Sequence, residues 1–282
     1  MLAEVNNILF LGLKTATDGA DNHRSRWEFA LFSRHPVLSQ LAKDIASGIA
    51  DPRVLSLPID IYVGIHSFKW FRVRPGRYSI GLQAEHYFDV TGRIVQPGPK
   101  RSKVLSSALV FNRILDLSVG NQPVYDWLPA KLKSKIDFGP HIFPKHDISF
   151  DVHNSPDLAF FGALNDRRAK VIASSSSPVR QASNQIYGKD LTNFIKSCRA
   201  VLNVHYLDGI YTEYPRLLTA YLEGKVIVSD QLELLRAKQH YIPVEDISDP
   251  KFDGNIFDQF KREIAQTHTF EDYLLSQRPD KK

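Results

Sequence analysis

Two short runs in the second half of the chain carry polar residues at spacings suited to a charged, hydroxyl-rich ligand. The first, Gly162-Ala163-Leu164-Asn165-Asp166-Arg167-Arg168, follows the apolar segment Leu158 to Phe161. Gly162 permits close backbone approach, Asn165 or Asp166 can cap a helix, and Arg167 and Arg168 offer planar donors for phosphate. The second run places His205 and Tyr206 after the apolar AVLNV. Glu213-Tyr214-Pro215-Arg216 then opens a helix that closes at Glu223-Gly224. A helix N-terminus is a natural seat for a pyrophosphate, and a glutamate in its first turn can accept hydrogen bonds from ribose hydroxyls. A purely electrostatic reading stands beside this one. In it Glu213 complements the helix dipole and pairs with Arg216 at i, i+3, while the arginines sit exposed on a capped helix.

The first half offers proton-transfer candidates in its loops: Asp18, Asp21, His23, His66, Glu85 and His86. Glu85 and His86 follow directly on a short apolar run, where a side chain would project past a strand end into a cleft. The ten histidines are scattered with no H-E-x-x-H pair, and no Asp-x-Asp pair falls at a strand end, so no metal site is expected. Neither a G-x-S-x-G elbow nor a P-loop is present. The single cysteine, Cys198, cannot form an internal disulfide and reads as a small buried residue.

These residues need a scaffold with many strand ends. The runs 59–65, 78–83, 114–119, 136–143, 158–162, 200–204 and 226–229 are short and apolar, as in strands buried on both faces. Asn7 to Leu13 reads as an earlier strand. Helices are expected over 27–50 (split at Pro36), 102–111, 122–132, 165–173, 189–198, 213–223, 231–238 and 257–275. The β/α alternation predicts an α/β fold of two Rossmann-like domains facing a cleft. The expected divisions are a first domain over 1–150, a second over 151–256, and a helix in 257–282 returning to the first domain. The Pro-bounded stretch 144–156 is the expected linker.

With 282 residues, 43% of them hydrophobic, the chain can bury a sizeable core. No run reaches the ~18 apolar residues of a membrane span, and the start lacks a basic leader with a cleavage site, which points to the cytoplasm. The net charge of +5 suits anionic partners, including nucleic acid, with Lys100, Arg101 and Lys103 clustered together.

From Asp157 to Asp230 the order FFGALNDRR, YGKDLTNFIKSCRAVLNVHY and YTEYPRLLTAYLEGKVIVSD resembles the donor-binding domain of GT-B glycosyltransferases, particularly bacterial and phage-type members. The resemblance implies a nucleotide-sugar donor as co-substrate, with no further cofactor and no metal. It implies donor binding by Gly162, Asn165, Arg167, Arg168, His205, Tyr206, Glu213 and Arg216, with the base held near Tyr187 and Gly188. Many retaining members carry two glutamates spaced by seven residues in the penultimate helix. Here those positions are Tyr211 and Thr219, and Glu213 lies two residues from the usual place. The first half follows the family's acceptor-side outline, which makes Glu85, His86 and Asp21 the candidates for a catalytic base. The implied activity is sugar transfer to a glycan or other hydroxyl, as in polysaccharide biosynthesis. Two alternatives stay open: a phage-type DNA-modifying transferase, and a non-catalytic nucleotide- or glycan-binding module.

Overall fold

The computed structural model describes residues 2–5, 8–11, 29–33, 35–65, 73–74, 76–182, 186–246 and 254–277. Asp18, Asp21, His23 and His66 lie outside them. Strands β1 (Leu2–Val5), β2 (Ile8–Leu11) and β3 (Phe29–Phe32) meet antiparallel. From β3 the sheet continues in parallel. In chain order follow α1 (Pro36–Ser47), α2 (Pro52–Leu55), β4 (Ile59–Val63), β5 (Tyr78–Gln83), α3 (Arg101–Val110), β6 (Arg113–Asp116), α4 (Gln122–Tyr125), α5 (Ala130–Lys133) and β7 (Ile136–Phe138). The strands lie side by side in sequence order. Alternation sends successive side chains to opposite faces. Leu31, Ile61, Leu82 and Leu115 join one apolar cluster with Leu41 and Ile45 of α1. Phe32, Tyr62 and Ile114 join another with Val104 of α3 and Tyr125 of α4. Each large side chain so buried contributes about 1.5–3 kcal/mol.

The second sheet holds β8 (Leu158–Phe160), β9 (Val179–Gln181), β10 (Ala200–Asn203), β11 (Val226–Ser229) and β12 (Ile242–Pro243). It is wholly parallel, in the order β12-β11-β10-β8-β9. Helices α6 (Asp166–Ser174), α7 (Gly188–Lys196) and α8 (Tyr214–Leu222) connect its strands. The chain leaves β8 to one side for β9 and returns on the other for β10, so the topological switch point lies between β8 and β10. Crevices at such points are where open α/β sheets bind ligands.

The chain ends in α9 (Gly254–Phe260), a π-helical turn over Lys261–Ala265 and α10 (Phe270–Ser276). This segment meets the first sheet's domain. The Glu271 carboxylate accepts the N–H groups of Ala50 and Asp51, both at 2.6 Å, ahead of α2. The Tyr273 hydroxyl donates to Asp137 at 3.0 Å.

Several expectations are corrected. Residues 29–32 form a strand, not the start of a helix: Phe-Ala-Leu-Phe fills the place between β2 and β4, and the helix starts only where His35 caps it and Pro36 occupies its first turn. No helix covers 231–238, because Leu234 and Lys238 take left-handed conformations (φ 61° and 64°) that a right-handed helix cannot contain. Pro129 divides the segment 122–132 into α4 and α5. Thr269 caps α10 by accepting the Asp272 N–H, and so divides the last helix.

Candidate functional site

Beyond the carboxyl ends of β8 and β10 lies a cavity of about 380 Å³ between the two sheets. The C-terminal domain contributes Gly162, Tyr187, Tyr206, Glu213 and Arg216 to its lining; the N-terminal domain contributes Glu85 and His86 from the loop after β5 and Val37 and Leu41 from α1.

Glu213 is the electrostatic centre. It immediately precedes α8, yet its side chain makes no capping bond to that helix. Its carboxylate instead pairs with Arg216 Nη1 at 2.7 Å and Arg168 Nη2 at 3.0 Å. Burial works against the glutamate's charge, but Arg216 and Arg168 outweigh it and hold the carboxyl below its ordinary range. Arg168 is 3% exposed and lies behind the cavity wall. It is fixed by Val204 O at 2.8 Å and Ala163 O at 2.7 Å, with its guanidinium over the Tyr206 ring. Arg216 lines the cavity and donates from Nη1 to Asn203 Oδ1 at 2.7 Å. Its Nη2 stands over Gly162, where a Cβ would come within 2.9 Å and φ is +120°. Glycine at 162 is therefore required twice, by the backbone and by the arginine.

The other residues expected at the site divide into lining and support. Asn165 caps α6 by accepting the Arg168 N–H at 2.9 Å, and its Nδ2 donates to Tyr206 O at 2.6 Å, tying the two loops together. Arg167 does not face the cavity: it pairs with Asp230 at 3.0 Å and donates to His205 O at 2.8 Å. His205 is fully buried and stacks on Tyr211 at 4.1 Å, and Tyr211 in turn meets the His86 ring at 4.8 Å. His205 is thus a support for the wall. Gly188 does not contribute a free amide, because its N–H donates to Gln40 Oε1 of α1 at 2.7 Å across the cavity.

Of the proton-transfer candidates, His86 and Glu85 reach the cavity together. Burial pushes the His86 imidazole down to about 4, against the pull of Glu213, so the ring is neutral at pH 7. Its Nδ1 is buried without a hydrogen-bond partner in the protein. Glu85 accepts from Gln96 Nε2 at 3.3 Å. The loop carrying both is held by Asn121, which donates to Glu85 O at 2.7 Å and accepts the Tyr87 N–H at 2.8 Å. Among the described residues no group of three His, Cys, Asp or Glu side chains could hold a metal ion. No described helix is long and apolar enough to cross a membrane.

Sequence reasoning missed Asn203 and Asp230, which brace Arg216 and Arg167. Both end apolar strands or directly follow one, the signal that marked His205. It named Tyr211 only as the place of a family glutamate, not as the ring packed between His205 and His86, and it missed the Gln40 and Asp44 pair on α1.

Two Rossmann-like domains face one cavity, with the polar residues gathered at the switch point of the second, as the resemblance to GT-B enzymes implies. No protein-family description and no curated protein matches the chain. Among solved structures it is similar to TarM, at 11% identity and a TM-score of 0.43 over 77% of this chain and 50% of that one. A mutant of S. aureus TarM in complex with Fondaparinux, alpha-GlcNAc-glycerol and UDP gives 11%, 0.42, 77% and 51%. The apo form of the lipopolysaccharide outer core galactosyltransferase WaaB gives 13%, 0.34, 87% and 76%. The chain spans about half the length of the TarM chains.

Proposed function

We propose that the protein is a glycosyltransferase that moves a sugar from a nucleotide-sugar donor to a hydroxyl of a glycan, without a metal ion. The observation that carries this is the Arg168–Glu213–Arg216 cluster at the switch-point crevice, with Arg216 open to the cavity. In this reading the donor's diphosphate lies over Gly162, beside Arg216 Nη2. Glu213 accepts from donor hydroxyls while its ion pairs keep it charged. As the bond from anomeric carbon to phosphate oxygen breaks, negative charge grows on the leaving diphosphate. The contact to Arg216 then strengthens, and an interaction that strengthens toward the transition state accelerates the reaction. The acceptor hydroxyl's proton passes to Glu85 or to the neutral His86 ring, both on the acceptor-side wall.

The test is to incubate the protein with UDP, GDP, CMP and ADP sugars, with and without EDTA, and to follow binding and slow donor hydrolysis. Specific binding of one nucleotide with EDTA-resistant hydrolysis supports the reading. Binding of a nucleotide or a glycan with no turnover of any donor would establish the non-catalytic module instead.

A further inference from the structure

Asp44 stands on α1, where that helix walls the cavity, and its carboxylate is shared between the two domains. Oδ2 accepts from Thr219 Oγ1, in the middle of α8, at 2.7 Å. Oδ1 accepts from Gln40 Nε2, one turn earlier in α1, at 2.6 Å. Gln40 turns its carbonyl the other way and accepts the Gly188 N–H at the start of α7 at 2.7 Å. Three hydrogen bonds therefore run from α7 through α1 to α8. Gln40, Asp44 and Thr219 line the cavity themselves, as does Tyr187, which precedes Gly188; Thr219 follows Arg216 by three positions on one face of α8.

The Asp44–Thr219 link is buried, Asp44 being 9% and Thr219 8% exposed, while Gln40 and Gly188 are half-buried. A buried carboxylate needs its donors, because losing one leaves an oxygen without its partner. Burial raises the Asp44 carboxyl to about 6, with the Thr219 and Gln40 bonds opposing and Glu223, just past the end of α8, adding to the rise.

We propose that Asp44 is a positioning residue: by holding Thr219 directly and Gly188 through Gln40, it sets the distance of α1 from α7 and α8, and so the width of the cavity that receives the donor. This rests on the transferase reading above. Neither Asp44 nor Thr219 bonds to Glu213 or Arg216, so the effect belongs in the fraction of molecules whose cavity is set before the donor arrives. Reducing that fraction raises the apparent dissociation constant by its reciprocal, while a saturating donor restores the same working state.

The test uses Thr219→Val, which keeps the shape and removes the hydroxyl, and Thr219→Ser, which keeps the hydroxyl. Two readouts are taken: steady-state kinetics with the donor that the wild type turns over, and hydrogen exchange of the Gly188 amide with no ligand present. Thr219→Val should raise the donor KM about fivefold to tenfold, with turnover at saturation within about twofold of wild type. It should also speed Gly188 exchange by a similar factor relative to amides inside α7, and Thr219→Ser should restore both. A lower melting temperature with unchanged KM and unchanged Gly188 exchange would make the Asp44 bond ordinary packing and overturn the proposal. If the wild type turns over no nucleotide sugar, the transferase reading fails, and Gly188 exchange alone decides whether Asp44 holds the helices.

Discussion

Replacing Glu213 with Ala should cost about 3 kcal/mol of stability, and a bound diphosphate should return most of it. Arg168 and Arg216 have side chains 3% and 10% exposed, and they share this one carboxylate at 3.0 and 2.7 Å. Removing it leaves two guanidinium groups facing each other with little water between them. Breaking a buried ion pair by deleting one partner costs about 3–5 kcal/mol. The low end applies because Arg168 keeps its bonds to Val204 O and Ala163 O. A first-turn glutamate that merely complements a helix dipole is worth about 0.3–1 kcal/mol, so the two accounts differ severalfold. Urea unfolding of wild type and variant separates them: with a slope of about 2 kcal/mol per molar, the midpoint should fall by roughly 1.5 M. Inorganic pyrophosphate should then stabilise the variant more than the wild type, because the anion takes the carboxylate's place between the arginines; at 100 times its Kd a ligand adds about 2.7 kcal/mol. A loss under about 1 kcal/mol, with equal pyrophosphate effects on both proteins, would refute the reasoning.

Arg216→Ala should lower turnover at least about tenfold at saturating donor, since it removes the guanidinium that faces the leaving group; Arg167→Ala, whose guanidinium pairs with Asp230 outside the cavity, should stay near normal in the same kinetics. Gly162→Ala puts a Cβ 2.9 Å from Arg216 Nη2 at a φ of +120°, so steady-state assays should show reduced turnover and calorimetry a lower melting temperature. Glu233 of the C-terminal domain is 1% exposed, accepts the Gly120 N–H of the other domain at 3.0 Å, and has its carboxyl raised by burial to about 7. A folded value above the unfolded one means stability that is full below pH 4.5 and lost as pH rises through 7, so Glu233→Gln should gain about 2.5 kcal/mol relative to wild type between pH 5 and pH 8, read by urea unfolding at each pH.

The parts of the fold legible in the sequence are those with a single local cause. Ile59 to Val63 and Val226 to Ser229 are short apolar runs closed by polar or Gly residues, and each is a buried strand. Asn165 precedes a helical pattern and caps it. Phe29 to Phe32 was not legible, since four apolar residues before a helix fit helical spacing equally well; what decides is the vacancy between β2 and β4. The same holds at the site. Strand ends drew attention to Gly162 and His205 and a helix start to Glu213, but which arginine faces the cavity depends on partners distant in sequence: Asp230 lies 63 positions from Arg167. Likewise no local pattern could show that Gln40 bonds Gly188, 148 positions away.

The charges of the Arg168–Glu213–Arg216 cluster do not balance, while Glu85 and Asp44 place their carboxylates on the opposite wall of the cavity. Arg167 and Asp230 neutralise each other outside the cavity. Within the wall, Arg168 and Arg216 together face Glu213 alone, which leaves one positive charge in a place largely withdrawn from water. Backbone carbonyls of Ala163 and Val204 and the side chain of Asn203 solvate it, so the folded protein tolerates the surplus. Replacing both arginines with neutral side chains would leave Glu213 largely buried and unpaired, and replacing one would relieve the surplus at the expense of anion affinity. Adding a second carboxylate would relieve it equally well and close the site to anions. In the transferase reading, keeping one carboxylate between two arginines holds Glu213 ionised for hydroxyls and Arg216 available for phosphate at the same time. A nucleotide-sugar donor offers both chemistries within a few bonds of each other, sugar hydroxyls beside a diphosphate, and that pairing favours it over a simple anion as the natural occupant.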